Sequence, residues 1–204
     1  MLNVGLTGGI ATGKSTVAGI FQEKGADLID FDVLTRYAEE PDRPAWKAIV
    51  DFFGASVLNS DRTINRGKLG AIVFQNRDKL AKLNDIVHPL LFQEWRLRIA
   101  SIRKNRPEAI VISDIPLLIE TGAQELFDIV VLVYATPERQ LERLLARNGC
   151  TREDALNRLA SQLPIDKKIP HAHMVIDNSS SWEETRRCVD AIWEELKKCG
   201  LKSS

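Results

Sequence analysis

Eight residues near the start of the chain, Gly8-Gly9-Ile10-Ala11-Thr12-Gly13-Lys14-Ser15, fit the pattern G-x-x-x-x-G-K-[ST]. Their surroundings are those the pattern requires. Leu2 to Leu6 is a short apolar run that predicts a strand, and Val17, Ile20 and Phe21 recur at helical spacing, with Gly25 as a stop. Between a strand and a helix, glycines let the backbone curl so that its N–H groups converge on an anion, and the helix N-terminus adds a positive dipole end. In such a loop the ammonium of Lys14 reaches the β- and γ-phosphates of a nucleoside triphosphate, and the hydroxyl of Ser15 ligates Mg²⁺. A plain connecting turn would leave both residues without a use.

The remaining pattern extends this start into an α/β fold. Ala26 to Phe31 reads as a second strand ending in acids, so strand, glycine-rich turn, helix and strand form a βαβ unit with a parallel sheet. From Asp32 to Arg106 the pattern is helical, interrupted by Pro41, Pro44 and the polar stretch Asn59 to Asn65, which predicts a helical insertion. Ala109 to Ser113 and Ile129 to Tyr134 are β-branched and apolar on both faces, as central parallel strands are. Helices are expected over Glu138 to Arg147 and Arg152 to Leu163, the second capped by Thr151 with Asp154 three residues on. A short strand, Met174 to Ile176, and a helix, Trp182 to Cys199, close the chain. The expected fold is a five-stranded parallel sheet flanked by helices, in one domain of 204 residues.

Composition narrows the function by exclusion. Lys plus Arg and Asp plus Glu are both 28, so the formal net charge is zero. No bulk field exists to attract nucleic acid or an anionic membrane, and any phosphate site must be local. Cys150, Cys188 and Cys199 have neither CxxC spacing nor an even count, which argues against a disulfide framework or cysteine-bound zinc and for reducing cytoplasm. The longest apolar runs fall far short of the ~20 residues that span a bilayer. Met1-Leu2-Asn3 lacks a basic leader, and a cleaved signal would destroy the loop that begins at Gly8. His171 and His173 have no third ligand nearby, so zinc is not expected.

A triphosphate loop does not name the acceptor, since kinases, GTPases and ATPases share it. The guanine-reading Asn-Lys-x-Asp does not occur. Asp30 and Asp32 fall at the end of the second strand, on the sheet edge where α/β folds bind ligands, and period-two geometry puts them on one face. A carboxylate there accepts a proton from an attacking hydroxyl or holds Mg²⁺ through water, while Asp32 also suits the N-cap of a following helix. Asp114 stands at another strand end, where an acid commonly orders Mg²⁺. Pro116 and the leucines after it form either an apolar wall against a base or pantetheine-like arm, or plain core. Arg139, Arg143 and Arg147 form a row on one helix face. Neither Arg143 nor Arg147 has an acid three or four residues away, which leaves guanidinium groups for triphosphate oxygens, as a lid requires.

These segments together resemble dephospho-CoA kinase. The resemblance rests on Leu6-Thr7-Gly8-Gly9-Ile10 running into the loop, Ile29-Asp30-x-Asp32 with Arg36, Phe53-Gly54, Arg66 to Phe74, His88-Pro89, and Asp114-Ile115-Pro116-Leu117-Leu118 with Glu120. It continues through Ala146-Arg147-Asn148-Gly149, Arg158 with Gln162-Leu163-Pro164, Lys168, and Val175-Ile176-Asp177-Asn178. It implies transfer of the γ-phosphoryl of ATP to the 3'-hydroxyl of dephospho-CoA, with Mg²⁺ as cofactor. The alternatives are another small kinase acting on a nucleoside monophosphate or metabolite, and an ATP-dependent switch that transfers nothing.

By that resemblance Asp32 is the base or orienter of the hydroxyl, Lys14 and Arg147 neutralise the triphosphate, and Ser15 binds the metal. Gly9, Ala11, Thr12, Gly13, Lys14, Ser15, Thr16, Arg147 and Asn178 would bind the nucleotide. Thr7, Asp32, Arg36, His88, Asp114 and Leu117 would bind the acceptor. The core would comprise about 1–32, 107–138 and 172–204, a CoA-binding insertion about 33–106, and a lid about 139–165. The partners implied are ATP and dephospho-CoA, with no nucleic acid or membrane, in a monomer or small homo-oligomer. Two departures stand out: Asp61-Arg62 where the family usually has Asp-Gly, and Ser179-Ser180 where it often has Ser-Gly.

Overall fold

The computed structural model describes residues 1–149 and 151–202, with the side chains of all of these except Arg147, Asn148 and Lys202. Five strands, β1 (Leu2–Gly8), β2 (Asp27–Asp30), β3 (Ile110–Asp114), β4 (Ile129–Tyr134) and β5 (Met174–Asp177), form a sheet in the order β2-β3-β1-β4-β5. Every pairing is parallel. Parallel strands are joined by crossovers that cover both faces, and β1 and β3 are accordingly buried along their whole length.

Ladder partners explain where two strands depart from expectation. β1 runs past Leu6 because β4 offers partners as far as Val133, opposite Gly8. β2 stops at Asp30, which faces Asp114, the last residue of β3. With no partner beyond that point, the chain turns into helix α2 (Phe31–Ala38) and buries Phe31. Asp30 and Asp32 therefore do not share a strand face. Asp32 is not an N-cap either; it lies in the first turn of α2.

The chain divides into two compact units, residues 1–31 with 102–204, and residues 32–101. In the first, α1 (Lys14–Glu23) and α9 (Trp182–Lys202) build a core with the sheet, in which Leu6, Phe21, Ile112, Val131, Ile176 and Leu196 are sealed from solvent. Phe21 and Trp193 rings lie 6.1 Å apart. Helix α6 (Pro137–Asn148) starts at Thr136, whose hydroxyl accepts from the Arg139 N–H at 3.3 Å, and ends on Gly149 at φ 54°. Helix α7 (Arg152–Ala160) starts at Thr151, whose hydroxyl accepts from the Asp154 N–H at 3.1 Å, as expected. It ends at Ala160, short of Leu163, where the approach of Pro164 disfavours further helix. A short helix α8 (Ile165–Lys168) then leads to β5. His173 exchanges hydrogen bonds with Val130, its Nδ1 accepting and its N–H donating at 2.9 Å, and so continues the β4–β5 edge.

The second unit is helical: α3 (Pro44–Phe53), α4 (Arg66–Val73) and most of α5 (Arg77–Asn105) join the body of α2. Trp46, Ile49, Val57, Leu69 and Val87 form its core. Asp42 and Arg62 are non-glycine residues at φ 71° and 68°, and they pair with each other at 2.6 Å. The Arg62 carbonyl also accepts from Trp46 Nε1 at 2.7 Å. Arg62, where the resemblance leads one to expect glycine, is thus tied down at both ends. Among the described residues no helix is long and apolar enough to cross a membrane.

Candidate active site

The loop after β1 is shaped by what lies around it. The Gly9 carbonyl accepts from the Thr12 N–H at 3.3 Å and the Thr12 hydroxyl at 2.9 Å, which closes a tight turn. Ala11 sits at φ 60° and Gly13 at φ 88°, so the backbone takes left-handed steps on the way into α1. A Cβ at Gly13 would lie 2.2 Å from Asn178 Nδ2, so only glycine admits that neighbour. Asn178 is buried; its amide N–H donates to the Thr12 carbonyl at 2.7 Å, and its Oδ1 accepts from the Thr185 hydroxyl at 2.7 Å. Thr16 and Ser15 are exposed in the first turn of α1.

Arg143, without an acid at helical spacing, has carbonyl partners and lines the cavity beside the loop. Its guanidinium donates to the carbonyls of Ala11 at 3.4 Å, Thr12 at 3.2 Å and Asn178 at 2.7 Å. Arg139 donates to the Ser179 carbonyl at 3.1 Å and pairs with Glu142 at 2.8 Å. The backbone of Arg147 belongs to α6; its side chain lies outside the described residues, as does Cys150.

Lys14 forms an ion pair with Asp114, so two residues assigned to different substrates meet. Beside them, the Thr7 hydroxyl is 3.4 Å from the Pro116 carbonyl, and Leu117 is 42% exposed while Leu118 is sealed in the core. The Pro-Leu-Leu segment therefore contributes to both readings, one leucine to each. Among the described residues no three His, Cys, Asp or Glu side chains gather into a metal cluster. The oxygen donors at hand are the Ser15 hydroxyl and the Asp114 carboxylate. This sparse, hard set fits Mg²⁺, which keeps several waters and takes further oxygens from phosphates.

A cavity of about 530 Å³ adjoins the loop, lined by Ala11, Gly13, Thr16, Ala146, Ser180 and Trp182 among others. Trp182, 48% exposed, is the one aromatic side chain among those residues. Gln140 was missed, and Gln162 and Lys168 entered only among the segments that carry the resemblance, without a role. Gln140, Gln162 and Lys168 all bond to loop backbone, and Lys168, fully buried, also pairs with Glu120 at 2.6 Å. None is close in sequence to the loop, so no local spacing signals them.

Arg36, His88 and Asp32 lie in the second unit. Arg36 lines a cavity of about 200 Å³ with Glu39, Thr63 and Arg66. Arg66 pairs with Glu39 at 2.5 Å, while burial pushes the Glu39 carboxyl above the usual range. His88 lies in α5, and partial burial holds its pKa below the ordinary value, the Asp85 carboxylate opposing the shift.

Comparison with known proteins agrees with this arrangement. The dephospho-CoA kinase family model matches residues 2–184. Dephospho-CoA kinase of Syntrophus aciditrophicus is 52% identical over 198 residues, spanning 97% of this chain and 84% of that protein. The enzyme of Carboxydothermus hydrogenoformans is 45% identical over 194 residues, covering 95% and 94% of the two chains. Among solved structures, dephospho-CoA kinase from Campylobacter jejuni superposes with a TM-score of 0.73 at 27% identity, over 96% of each chain. Strand order, phosphate loop and these matches point the same way: the chain belongs to the dephospho-CoA kinase family.

Proposed function

We propose that this chain transfers the γ-phosphoryl of ATP to the ribose 3'-hydroxyl of 3'-dephospho-CoA, giving CoA and ADP. The observation that carries this reading is the family match from residue 2 to residue 184. The loop between β1 and α1 offers its amides to the phosphates, and Lys14 balances the charge that spreads over the transferred group. By the resemblance Arg147 is a second cation that neutralises the triphosphate. Asp32 accepts the proton of the 3'-hydroxyl or orients it for in-line attack. Thr7, Arg36, His88, Asp114 and Leu117 contribute to the acceptor site, in which the insertion of about 33–106 holds the CoA moiety. The segment of about 139–165 acts as a lid that excludes water, so that the sugar alcohol and not water is phosphorylated.

Mg²⁺, held by Ser15 and, through water, by Asp114, would supply charge neutralisation on the β- and γ-phosphates. Asn178 supports the nucleotide site through the Thr12 carbonyl and lines the cavity beside the loop.

The test is ADP release from ATP and Mg²⁺ with and without each acceptor. We expect strong stimulation by dephospho-CoA and little by nucleoside monophosphates. Slow hydrolysis indifferent to every small acceptor would replace the kinase with a switch.

A further inference from the structure

The backbone of Ile10 is gripped from two sides. Its N–H donates to Gln162 Oε1 at 2.8 Å, and its C=O accepts from Gln140 Nε2 at 2.7 Å. Gln140 belongs to the first turns of α6, and Gln162 follows the end of α7, so the contacts come from the two roots of one helical segment. Gln140 is buried, and Gly9 makes the room for it: a Cβ there would lie 2.4 Å from Gln140 Nε2. The partners also fix which way each amide faces. A backbone N–H can only donate and a carbonyl can only accept, so Gln162 must present oxygen and Gln140 nitrogen.

The peptide plane carries this orientation onward. C=O and N–H of one peptide point in opposite directions, so an Ile10 carbonyl aimed at Gln140 turns the N–H of Ala11 away from α6. The Thr12 carbonyl, held by Asn178 and Arg143, sets the N–H of Gly13 in the same way. Ala11 at φ 60° is costly for an L-residue and persists only where its surroundings hold it.

We infer that Gln140 and Gln162 are positioning residues for phosphoryl transfer: a donor at 140 and an acceptor at 162 set the Ile10 peptides, and through them the loop amides offered to the triphosphate. The inference rests on the kinase reading above.

The experiment compares Gln162→Glu, Gln140→Glu, Gln162→Met and Gln140→Met with the wild type, in steady-state kinetics with ATP or dephospho-CoA varied. Thermal melting and calorimetric ATP binding accompany it. Gln162→Glu keeps the acceptor and raises the KM for ATP less than Gln140→Glu does. Gln140→Glu sets a carboxylate against a carbonyl and, like both methionine variants, raises the KM for ATP roughly tenfold, the loss expected for one hydrogen bond of this kind. The KM for dephospho-CoA does not move. Equal behaviour of the two glutamate variants overturns the inference. So does a lower melting temperature with an unchanged KM for ATP, since that is all a purely structural role would produce. If Gln140→Glu does not fold, the nearly isosteric Gln140→Met decides the donor's role. If the wild type fails to phosphorylate dephospho-CoA, the kinase reading falls, while ATP affinity still decides the positioning.

Discussion

Replacing Lys168 by methionine isolates one buried charge. Lys168 Nζ donates to the Gly8 carbonyl at 3.1 Å and pairs with Glu120 Oε1 at 2.6 Å; the lysine is 0% exposed and Glu120 20%. Removing one partner of a fully buried ion pair costs about 3–5 kcal/mol, because the survivor keeps its charge away from water. Glu120 retains solvent contact, so its share falls toward the ~0–1 kcal/mol of a surface pair. The Gly8 carbonyl, losing a charged donor in a buried place, contributes about 1–3 kcal/mol. Methionine keeps the packing of the aliphatic stem, and the expected total is about 2–3 kcal/mol.

In urea, followed by far-UV circular dichroism, this lowers the midpoint by about 1 M at a slope of about 2–3 kcal/mol/M, with the slope unchanged. Glu120→Gln leaves the fully buried Lys168 ammonium with a neutral partner and should cost at least as much, about 3 kcal/mol. A Lys168→Met shift below about 0.3 M would refute the reasoning, as would a Glu120→Gln variant as stable as the wild type.

Asp32→Asn should lower kcat by about 10²–10⁴ while calorimetric ATP affinity stays within about twofold; near-wild-type turnover would remove Asp32 from the chemistry. Gly13→Ala meets both the positive φ and Asn178 Nδ2 at 2.2 Å, so it should destabilise the fold by more than about 1 kcal/mol and weaken ATP binding. Because the folded pKa of His88 is lowered, the unfolded chain binds more protons below its ordinary value of 6.5. Stability is then complete above that value and is lost as pH falls toward the folded pKa. Urea midpoints taken between pH 7.5 and 5.5 should fall further for wild type than for His88→Gln. Chelation of divalent ions should abolish ADP release, and added Mg²⁺ should restore it.

The phosphate loop was legible because strand, glycines, lysine and helix are contiguous and their mechanism is local. The β4 boundaries were legible for a similar reason, since an apolar β-branched run has one natural length. The end of β2 was not: Asp30-Phe31-Asp32 alternates in polarity like a strand, yet the ladder partner stops at Asp114 and the chain turns. Arg143 misled differently. Counting acids at helical spacing detects ion pairs on the same helix, whereas its partners are loop carbonyls more than 130 residues earlier and the Asn178 carbonyl. Gln140 carries no charge and no motif, and the Gln162-Leu163-Pro164 segment names no contact for Gln162, so only the folded arrangement exposes their part. Lys14 was readable as a phosphate ligand, but its pairing with Asp114 depends on the parallel register that sets β1 beside β3.

The central place of β1 also bears on how the protein is made. Leu2 pairs with Ile110 and Val4 with Ile129, so β1 finds no neighbour in the sheet until more than a hundred further residues have followed it out of the ribosome. At about 5–20 residues per second that is roughly 5–25 s during which an apolar N-terminal segment waits unpaired. Contacts within residues 32–101 are local and can form meanwhile. The nucleotide cradle, translated first, is thus among the last parts to assemble, and nascent chains cut off before β3 should be the ones that chaperones retain.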